Sequence, residues 1–504
     1  MKVVEMKNIT KKFPGMIANE NINFDLNQRE VHVLLGENGA GKTTLMNILY
    51  GIYAQDEGDI FINGKKVKIK SPKDSISHGI GMVHQHFMLV HNFTVAENIV
   101  LGCEPTKHKI VFDKREALKK VNEIINKYEF NIDPESKIED ISVGQQQKVE
   151  ILKILYRGAD IIILDEPTAV LIPSEIKELE VIIKNLIKEG KSIILITHKL
   201  KEVMSMSDKV TIIRRGKVID TLNTKDTSID ELANLMVGRP VNLNVYKERE
   251  KILPEILTIK NLKAKDNRGL DALKGINLSV KSGEIFGVAG VGGNGQSELV
   301  EVITGIRKCF EGEIIFDGEK IENLSPKEII DKKISSIPED RHKTGLILQH
   351  SLFENAILGM QHNKKFNNGP FLNYKEIKNH TKDIIEEFDV RTVDYAVEAS
   401  KLSGGNQQKL IVGREIYKNP KLIIAVQPTR GLDIGAIEYI HRRLIQERDS
   451  GKAILLISLE LDEVLSLSDR IGVMYDGNIV KVLDRDEADE NKIGILMAGG
   501  SIDG

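Results

Sequence analysis

The sequence predicts an α/β fold arranged as two tandem domains, and three observations support this prediction. Short apolar runs rich in β-branched residues, such as VHVLL at 31–35 and SIILIT at 192–197, alternate with longer amphipathic segments. This alternation is typical of buried strands with helices packed outside them. The same series of motifs also occurs twice in the same order. The chain has 504 residues, which is enough for two domains of this kind.

Composition excludes several classes of protein. Hydrophobic residues make up 41% and charged residues 29% of the chain, which is typical of a soluble globular protein. The net charge of −3 offers no basic excess for binding nucleic acid. The two cysteines, Cys103 and Cys309, fit no metal-ligand spacing and indicate reduced thiols in a cytoplasmic protein. No apolar run approaches the roughly 18 residues of a membrane helix, so we expect no transmembrane segment in the chain.

An internal repeat governs the organisation of the chain. Gly36 and Gly290, which lie 254 residues apart, begin two glycine-rich loops. The segment ISVGQQQ at 141–147 and the segment LSGGNQQ at 402–408 follow them, at an offset of 261 residues. We call these the first and second signature segments. A repeat this long indicates two homologous domains and not a solenoid.

The repeat sets the predicted domain boundaries. We predict a first domain at 1–240 and a second domain at 255–504. The segment 241–254 is polar, charged and contains proline, so we predict a short linker there. The charged segment Lys114–Lys127 has the periodicity of a helix and is expected to form a helical lobe of the first domain.

The first glycine-rich loop has the features of a phosphate-binding loop. GENGAGKT at 36–43 follows the strand-like run VHVLL and precedes a helix-like segment, the context in which the pattern G-x-x-x-x-G-K-[ST] is specific. Backbone N–H groups of such a loop surround phosphate oxygens at a helix N-terminus. We expect Lys42 to bridge the β- and γ-phosphates and Thr43 to ligate Mg²⁺. The residues predicted to bind nucleotide here are Gly36, Glu37, Asn38, Gly39, Ala40, Gly41, Lys42, Thr43 and Thr44.

Polar residues that follow other predicted strands complete a candidate hydrolytic site. Asp165 and Glu166 end the apolar run DIIIL, and we expect Asp165 to hold Mg²⁺ and Glu166 to polarise the attacking water. Gln85 can offer its amide oxygen to Mg²⁺, and His198 can contact the γ-phosphate, because α/β sheets bind ligands at their strand ends. Phe13 is a candidate to stack on adenine. The alternatives are a solvated acidic turn, an ordinary histidine and a core phenylalanine.

These motifs together resemble the ATP-binding-cassette ATPases. The series GENGAGKT, Gln85, ISVGQQQ, LDEP and His198 has the order of that family, in which LSGGQ is a signature without a counterpart in other phosphate-loop proteins. The resemblance covers essentially the whole chain, twice. It implies two tandem P-loop ATPase domains that use ATP and Mg²⁺. Each domain would have a mostly parallel sheet core, an antiparallel β part and a helical subdomain.

Further motifs resemble one subgroup, the ATP-binding subunits of bacterial importers for simple sugars and nucleosides. IPEDR at 337–341 and QPTRGLD at 427–433 are similar to that subgroup, and the segment 83–102 is more similar to its nucleoside branch. The resemblance implies two membrane permease subunits and a solute-binding lipoprotein as partners, and a peripheral position on the cytoplasmic face of the cell membrane. It also implies that Phe87–Asn98 docks a permease helix. Packing of its apolar residues in the core is the alternative.

Three other functions stay open on the sequence. The first is import of a simple sugar of the ribose or galactose type. The second is a soluble twin-cassette ATPase acting on ribosomes or DNA, although such proteins usually keep both catalytic glutamates, and this chain has Gln427 in the second copy. The third is a non-enzymatic nucleotide sensor, which would not need the intact pair Asp165 and Glu166.

The second copy lacks the residues expected to hydrolyse ATP. Its loop, GVGGNGQS at 290–297, keeps the glycines but not the lysine, which removes a charge-assisted contact worth roughly 1.5–3 kcal/mol. We therefore expect the second loop not to support hydrolysis. The replacements are Gln296 for Lys42, Val426 for Asp165, Gln427 for Glu166, Leu459 for His198 and Glu339 for Gln85.

The signature segments show the opposite asymmetry. The first has Val143 where the second has Gly404, and the first copy has Ile172 where the second has Asp433. In the family that this chain resembles, two cassettes pair head to tail, so each ATP lies between one loop and the other copy's signature. This pairing, within one chain or between chains, implies one intact site and one degraded site. The second-copy residues predicted to bind ATP are Ser403, Gly404, Gly405 and Asp433.

Overall fold

A computed structural model of the chain describes residues 1–85, 87–108, 111–168, 171, 173–241 and 253–501. The chain folds as two compact units, Met1–Val241 and Asn242–Gly504. Most of the linker predicted at 241–254 lies outside the described residues, as does Ile172. The predicted linker and domain boundaries therefore stay predictions.

The first unit combines strands and helices along its whole length. Its described strands are β1 (Lys2–Phe13), β2 (Met16–Asn27), β3 (Val31–Leu35), β4 (Glu57–Ile62), β5 (Lys65–Val67), β6 (Ile80–Val83), β7 (Thr106–Lys107), β8 (Val111–Phe112), β9 (Ile161–Asp165), β10 (Ser192–Thr197), β11 (Lys209–Arg214) and β12 (Lys217–Asn223). Its described helices are α1 (Lys42–Tyr50), α2 (Pro72–Ser77), α3 (Val95–Val100), α4 (Lys114–Lys127), α5 (Val143–Tyr156), α6 (Pro173–Lys188), α7 (Leu200–Met206) and α8 (Ile229–Val237).

The strands of the first unit form two main sheets. The order β2-β1-β4-β5 makes an antiparallel sheet, and the order β12-β11-β3-β10-β9-β6 makes a sheet that is parallel except for β12. Every residue of β3, β9 and β10 is buried, as expected for apolar strands in the middle of a parallel sheet. A buried core joins both sheets to α1 and includes Met6, Leu34 and Leu45.

The second unit repeats this arrangement. Its described strands are β13 (Glu255–Lys265), β14 (Asp271–Lys281), β15 (Ile285–Ala289), β16 (Glu311–Phe316), β17 (Glu319–Lys320), β18 (Ile334–Ile337), β19 (Asn367–Asn368), β20 (Phe371–Leu372), β21 (Leu422–Val426), β22 (Ala453–Ser458), β23 (Arg470–Tyr475) and β24 (Asn478–Asp484). Its described helices are α9 (Gln296–Ile303), α10 (Pro326–Asp331), α11 (Leu352–Asn355), α12 (Tyr374–Glu387), α13 (Gly404–Tyr417), α14 (Ile434–Asp449), α15 (Leu461–Leu467) and α16 (Glu490–Met497).

The sheets of the second unit match those of the first in order and direction. The order β14-β13-β16-β17 is antiparallel, and the order β18-β21-β22-β15-β23-β24 is parallel except for β24. The α/β fold with a mostly parallel core and an antiparallel part is thereby confirmed in each copy. In the part of the chain that the structure describes, no helix is long and apolar enough to cross a lipid bilayer.

Strand register brings the predicted site residues of the first unit to one sheet edge. In the pairing of β10 with β9, Ile196 lies opposite Asp165, and in the pairing of β10 with β3, Thr197 lies opposite Leu35. β6 ends in register with β9. The carboxyl ends of these four strands therefore meet at one edge, which is where α/β sheets bind ligands.

A helical lobe formed by α3, α4 and α5 stands beside the parallel sheet. α4 spans Lys114–Lys127, which confirms the helix predicted there. It begins after Asp113, whose side chain accepts a hydrogen bond from the N–H of Glu116 at 3.2 Å, as an N-cap does. Its buried residues, Ala117, Val121 and Ile125, recur every four positions and so lie on one face.

Candidate active site

The first phosphate loop connects β3 to α1. α1 begins at Lys42, and Gly41 before it has a left-handed backbone with φ 103°. A Cβ added at Gly41 would collide with the carbonyl oxygen of Ala18 on β2, so both the angle and the space require glycine. Gly39 has φ 79° and no neighbouring atom within 4 Å of where a Cβ would stand. The loop therefore leaves its backbone open at the N-terminus of α1, where anions bind.

Lys42 lies inside this loop with its ammonium held by backbone carbonyls. Its Nζ donates hydrogen bonds to the carbonyl oxygens of Gly36 at 2.6 Å and Glu37 at 2.9 Å. Burial lowers the pKa of Lys42, and the charges of Glu166 and Asp165 oppose that shift. Because these two hydrogen-bond partners are neutral, a phosphate oxygen can become the charged partner of the ammonium.

Asp165 and Thr43, two of the residues predicted to bind Mg²⁺, contact each other. Asp165 is buried at the end of β9, and Thr43 Oγ1 donates a hydrogen bond to Asp165 Oδ1 at 3.4 Å. Burial, and then the neighbouring charge of Glu166, raise the pKa of Asp165 to about 6. A bound cation would relieve both causes. A carboxylate beside a hydroxyl supplies the hard oxygen ligands that Mg²⁺ prefers, so these residues fit the predicted ion.

Glu166 is held from two sides. Gln85 Nε2 donates a hydrogen bond to Glu166 Oε2 at 2.9 Å, which leaves the amide oxygen of Gln85 available to a metal, and His198 Nδ1 lies 3.1 Å from Glu166 Oε1. The hydrogen bond from His198 is the largest cause that lowers the pKa of Glu166. Glu166 also has φ 46°, a strained backbone of the kind found at functional sites. An ionised carboxylate fixed in this way can orient a water molecule.

Phe13 lies at the turn between β1 and β2 and is half-buried. Its ring meets the ring of Tyr53 edge-on, with the centroids 5.5 Å apart, and Lys11 Nζ lies 5.5 Å from the centroid. Adenine stacking on Phe13 stays a prediction. The other predicted loop residues range from buried to exposed: Ala40 is buried, Glu37 and Thr44 are half-buried, and Asn38 is exposed.

The second signature segment begins helix α13. Ser403 is the N-cap of α13, and its Oγ accepts a hydrogen bond from Asn406 Nδ2 at 2.9 Å. Asp433 is the N-cap of α14, and its Oδ1 accepts a hydrogen bond from the N–H of Ala436 at 2.7 Å. A Cβ added at Gly405 would stand 3.5 Å from Asp433 Oδ2. The predicted second-copy residues therefore lie together within the second unit.

Gly404 packs against an arginine. A Cβ added at Gly404 would lie 3.0 Å from Arg341 Nη2, which is tighter than an ordinary contact. Arg341 Nη1 donates a hydrogen bond to the carbonyl oxygen of Arg430 at 3.0 Å. The second signature segment thus has a cationic neighbour, and its first glycine leaves room for that side chain.

The second phosphate loop keeps the backbone of the first but not its charge. Gly295 has φ 108° before α9. Gln296 Nε2 donates a hydrogen bond to the carbonyl oxygen of Val291 at 3.0 Å, so the glutamine adopts the pose of Lys42 without an ammonium. The loop can therefore form its turn but cannot supply the cationic contact to a triphosphate.

The other catalytic positions of the second unit also differ. Gln427 retains a left-handed φ of 49°. Glu339 forms an ion pair with Arg430 at 2.7 Å, and the side chain of Leu459 is exposed. Gln427 therefore keeps the backbone angle of Glu166, but among the described residues of the second unit its side chain has no hydrogen-bonded cluster like that around Glu166.

Asn19 supports the first loop and was not predicted from the sequence. It is fully buried on β2, and its Nδ2 donates a hydrogen bond to the carbonyl oxygen of Gly41 at 3.1 Å. No motif marks this position, and the second copy has Leu273 at the same offset of 254 residues. Only the packing of β2 against the loop brings the contact about.

Glu202 is a second support that sequence reasoning missed. Its buried carboxylate accepts hydrogen bonds from Thr168 Oγ1 and from Thr197 Oγ1, the latter at 2.7 Å. The repeat contained a signal for it, because Glu463 lies 261 residues further on. Glu463 is also buried and accepts a hydrogen bond from Thr429 Oγ1 at 2.6 Å. An acidic residue kept in both copies, while the catalytic ones are lost, indicates a structural task.

The fold and the site define the class of protein. The sequence profile of the ABC transporter family matches residues 19–169 and 273–430, once in each unit. The chain belongs to the ABC transporter family, which confirms the resemblance drawn from the motifs. It is an ATPase with two cassettes, and the residues predicted to be catalytic, Gln85, Glu166 and His198, lie in the first cassette.

Relatives named as import ATP-binding proteins match this chain over nearly its whole length. The guanosine import ATP-binding protein NupO of Bacillus subtilis is 54% identical over 99% of this chain and 98% of its own length. The nucleoside import ATP-binding protein NupA of Lactococcus lactis is 52% identical over 99% of each chain. The glucose import ATP-binding protein TsgD13 of Haloferax volcanii is 44% identical over 99% of this chain and 96% of its own length.

Proposed function

We propose that this chain is the ATP-hydrolysing subunit of an importer for nucleosides. The proposal is carried by the cluster at the sheet edge, where Lys42, Asp165 and the doubly bonded Glu166 meet. The relatives named for guanosine and nucleoside import are 54% and 52% identical, whereas the relative named for glucose import is 44% identical. This difference favours a nucleoside over a simple sugar as the transported solute.

Each residue of the cluster has a separate task in ATP hydrolysis. Lys42 turns its ammonium from the loop carbonyls to the β- and γ-phosphates. Glu166, kept ionised by His198, orients the attacking water and accepts its proton. Thr43, Gln85 and Asp165 would hold Mg²⁺, which would supply positive charge beside the phosphate oxygens.

We also propose that a first cassette pairs head to tail with a second cassette. Ser403, Gly405 and Asp433 would then receive the triphosphate that Lys42 holds. The distribution of the substituted motif residues between the two cassettes supports this pairing. The second cassette lacks the residues predicted to be catalytic, whereas the first cassette has Val143 in its signature segment. Head-to-tail pairing would place all of these substitutions in the same one of the two sites. ATP that contacts both cassettes favours the state in which the cassettes are closed on each other. Hydrolysis of the ATP favours the state in which they are apart. The difference in nucleotide affinity between the closed and the open state supplies the energy of the transport cycle.

The partners are proposed from the same family resemblance. Two membrane permeases and a solute-binding lipoprotein would complete the importer, with this chain on the cytoplasmic face of the membrane. The segment Phe87–Asn98 is the proposed docking site for a permease helix. Phe87, Leu89 and Val90 are half-buried and Met88 is exposed, so none of the four is fully packed in the core.

Steady-state ATPase activity tests the single active site. The substitution Glu166→Gln removes the group that accepts the proton and is expected to lower turnover by about a hundredfold or more. Gln427→Ala, at the matching position of the second copy, is the control and is expected to keep the wild-type rate. More than a few per cent of turnover in Glu166→Gln would contradict the proposal.

Uptake experiments test the solute. The chain would be reconstituted in vesicles with the permeases and the lipoprotein encoded beside it, and uptake of radiolabelled guanosine would be compared with uptake of ribose and glucose. ATP-dependent uptake of guanosine is the expected result. Uptake of a sugar without uptake of a nucleoside would show that the solute is misassigned and would leave the ATPase assignment intact.

A further inference from the structure

The first signature segment carries a carboxylate of its own chain. Ser142 is the N-cap of α5, and its Oγ donates a hydrogen bond to Glu175 Oε1 at 3.2 Å. A Cβ added at Gly144 would collide with the same carboxylate, so Glu175 lies directly on this glycine. Glu175 belongs to the first turn of α6. A negative charge from α6 thus covers the serine hydroxyl and the N-terminus of α5.

The second signature segment differs at the corresponding position. Ala436 lies 261 residues after Glu175, and its Cβ stands 3.1 Å from where a Cβ of Gly405 would be. Ser403 Oγ accepts a hydrogen bond from Asn406 and, among the described residues, donates to no carboxylate. The two serines are therefore in opposite states. The Ser142 hydroxyl donates its hydrogen bond to a carboxylate of its own unit, whereas the Ser403 hydroxyl donates to no carboxylate among the described residues.

We propose that Glu175 closes the first signature segment to nucleoside triphosphate. A serine hydroxyl, a closely approached glycine and a helix N-terminus are groups that bind a phosphate oxygen. At Ser142 and Gly144 all three face the Glu175 carboxylate, so a phosphate would have to displace it and would meet its charge at close range. Glu175 thereby determines which signature accepts ATP. This proposal rests on the proposed function, in which signature segments bind the γ-phosphate.

The action of Glu175 is separate from the other differences between the copies. The change from glycine to Val143 adds an exposed apolar side chain to the segment, and Gln296 removes a cation from the second phosphate loop. Neither introduces negative charge. Glu175 does introduce negative charge. The second site would consist of the second phosphate loop and the first signature segment. Glu175 would exclude a triphosphate from that site even if a lysine replaced Gln296. The degraded site is then actively kept empty of ATP, which limits each closed pair to one hydrolysable nucleotide.

Counting bound ATP in a suitable background tests this proposal. The background is the full chain with Glu166→Gln, which prevents turnover, and Gln296→Lys, which restores the second lysine. Equilibrium dialysis with radiolabelled ATP and Mg²⁺ is expected to give one ATP per chain while Glu175 is present. With Glu175→Ala, which copies Ala436, a second ATP is expected to bind with a Kd lower by at least about tenfold. Glu175→Gln, which keeps the shape and removes the charge, should act in the same direction.

Glu178→Gln provides the matched control. Glu178 lies one turn along α6, and its ion pair at 2.7 Å is with Lys148 and not with the signature serine. The control makes the same change in net charge and should leave the count at one ATP. The proposal is overturned if a second ATP binds while Glu175 is present, or if neither Glu175→Ala nor Glu175→Gln adds one. A thermal melt of each variant checks that it is folded.

The failure of the proposed function would look different in this experiment. Lys42→Ala should abolish the first ATP if the first loop is the nucleotide site. If Lys42→Ala left the first ATP bound, the proposed function would be wrong whatever the Glu175 variants did. If Lys42→Ala removed the first ATP and the Glu175 variants added none, the inference about Glu175 alone would be wrong.

Discussion

Asn19 sets the shape of the first phosphate loop from outside the glycine motif. Its side chain is fully buried and holds the carbonyl of Gly41, the residue that turns the chain into α1. The second loop, which has lost its lysine, has Leu273 at the matching position. The polar contact is therefore present where the loop is expected to bind a triphosphate and absent where it is not.

The substitution Asn19→Leu tests this contact. It removes one hydrogen bond to the loop, worth about 1 kcal/mol, which corresponds to about a fivefold rise in the KM for ATP. Turnover at saturating ATP should change less, because Glu166 is untouched. The reverse change in the second copy, Leu273→Asn, is the control for altered packing and should leave the KM as in the wild type. An unchanged KM for ATP in Asn19→Leu would show that the hydrogen bond from Asn19 is not needed to shape the loop for ATP.

The buried carboxylates Glu202 and Glu463 lead to a prediction about stability. Each accepts a hydrogen bond from the threonine that lies 34 residues before it, Thr168 or Thr429. Replacing either threonine with valine leaves a buried carboxylate short of one donor, which costs about 2 kcal/mol. We expect Thr168→Val and Thr429→Val to lower the free energy of unfolding by similar amounts in chemical denaturation. A loss confined to Thr168→Val would show that the bond stabilises the first unit and not the second.

At the scale of the element, β3 carries a histidine in its apolar run. His32 Nδ1 donates a hydrogen bond to the carbonyl oxygen of Asp25 at 2.6 Å, and its Nε2 lies 2.7 Å from Thr211 Oγ1. Burial, and then the charge of Lys209, lower the pKa of His32 from 6.5 to about 3. Below pH 6.5 the unfolded chain binds a proton that the folded chain does not. The stability due to neutral His32 is therefore complete above pH 6.5 and is lost as the pH falls toward 3.

We expect the first unit to lose about 2 kcal/mol of unfolding free energy through His32 between pH 8 and pH 5. The second copy has Phe286 at the matching position of β15, fully buried, so the strand tolerates an aromatic hydrocarbon there. His32→Phe should remove this pH dependence, whatever its effect on stability at pH 8. Hydrogen exchange of β3 amides at the two pH values measures the difference. An equal loss in the wild type and in His32→Phe would assign the acid sensitivity to other groups.

At the scale of the whole molecule, the repeat made both cassettes predictable, because the same motifs recur at fixed places after apolar strands. Helix α4 was predictable since its apolar residues recur every four positions. The bond between Ser142 and Glu175 was not, because the two residues lie 33 positions apart and meet only where α6 approaches α5. Local patterns encode the elements and the loops between them, whereas contacts between helices depend on how the whole unit packs.

Met88 is an exposed apolar side chain on a fixed backbone. Its side chain is 68% exposed. Its N–H donates to Glu150 Oε1 at 2.7 Å, and its carbonyl oxygen accepts a hydrogen bond from Lys153 Nζ at 3.2 Å. The buried Asn98 holds the backbone of Val90, two residues further along. Asn98 Oδ1 accepts a hydrogen bond from the N–H of Val90 at 2.8 Å, and Asn98 Nδ2 donates one to the carbonyl oxygen of Val90 at 3.1 Å. A large apolar group presented on a rigid segment is suited to a protein contact.

In the second unit, Asn355 makes the same pair of backbone hydrogen bonds as Asn98. Asn355 accepts a hydrogen bond from the N–H of Ile347 at 2.8 Å and donates one to its carbonyl oxygen at 3.0 Å, and Ile347 is exposed. Met88 in the first unit and Ile347 in the second are thus exposed apolar residues whose backbone is held by hydrogen bonds to side chains.

We expect Met88→Asp to uncouple the chain from its permease. A carboxylate at the centre of an apolar contact costs about 2 kcal/mol or more, so ATP-dependent uptake in reconstituted vesicles should fall by about tenfold or more. Binding of ATP to the purified chain should stay within about twofold of the wild-type Kd, because no site residue changes. Val181→Asp provides the control, since Val181 is 57% exposed on α6 and lies outside the segment. If Met88→Asp supported normal uptake while Val181→Asp did not, the permease would dock on another surface of the first unit.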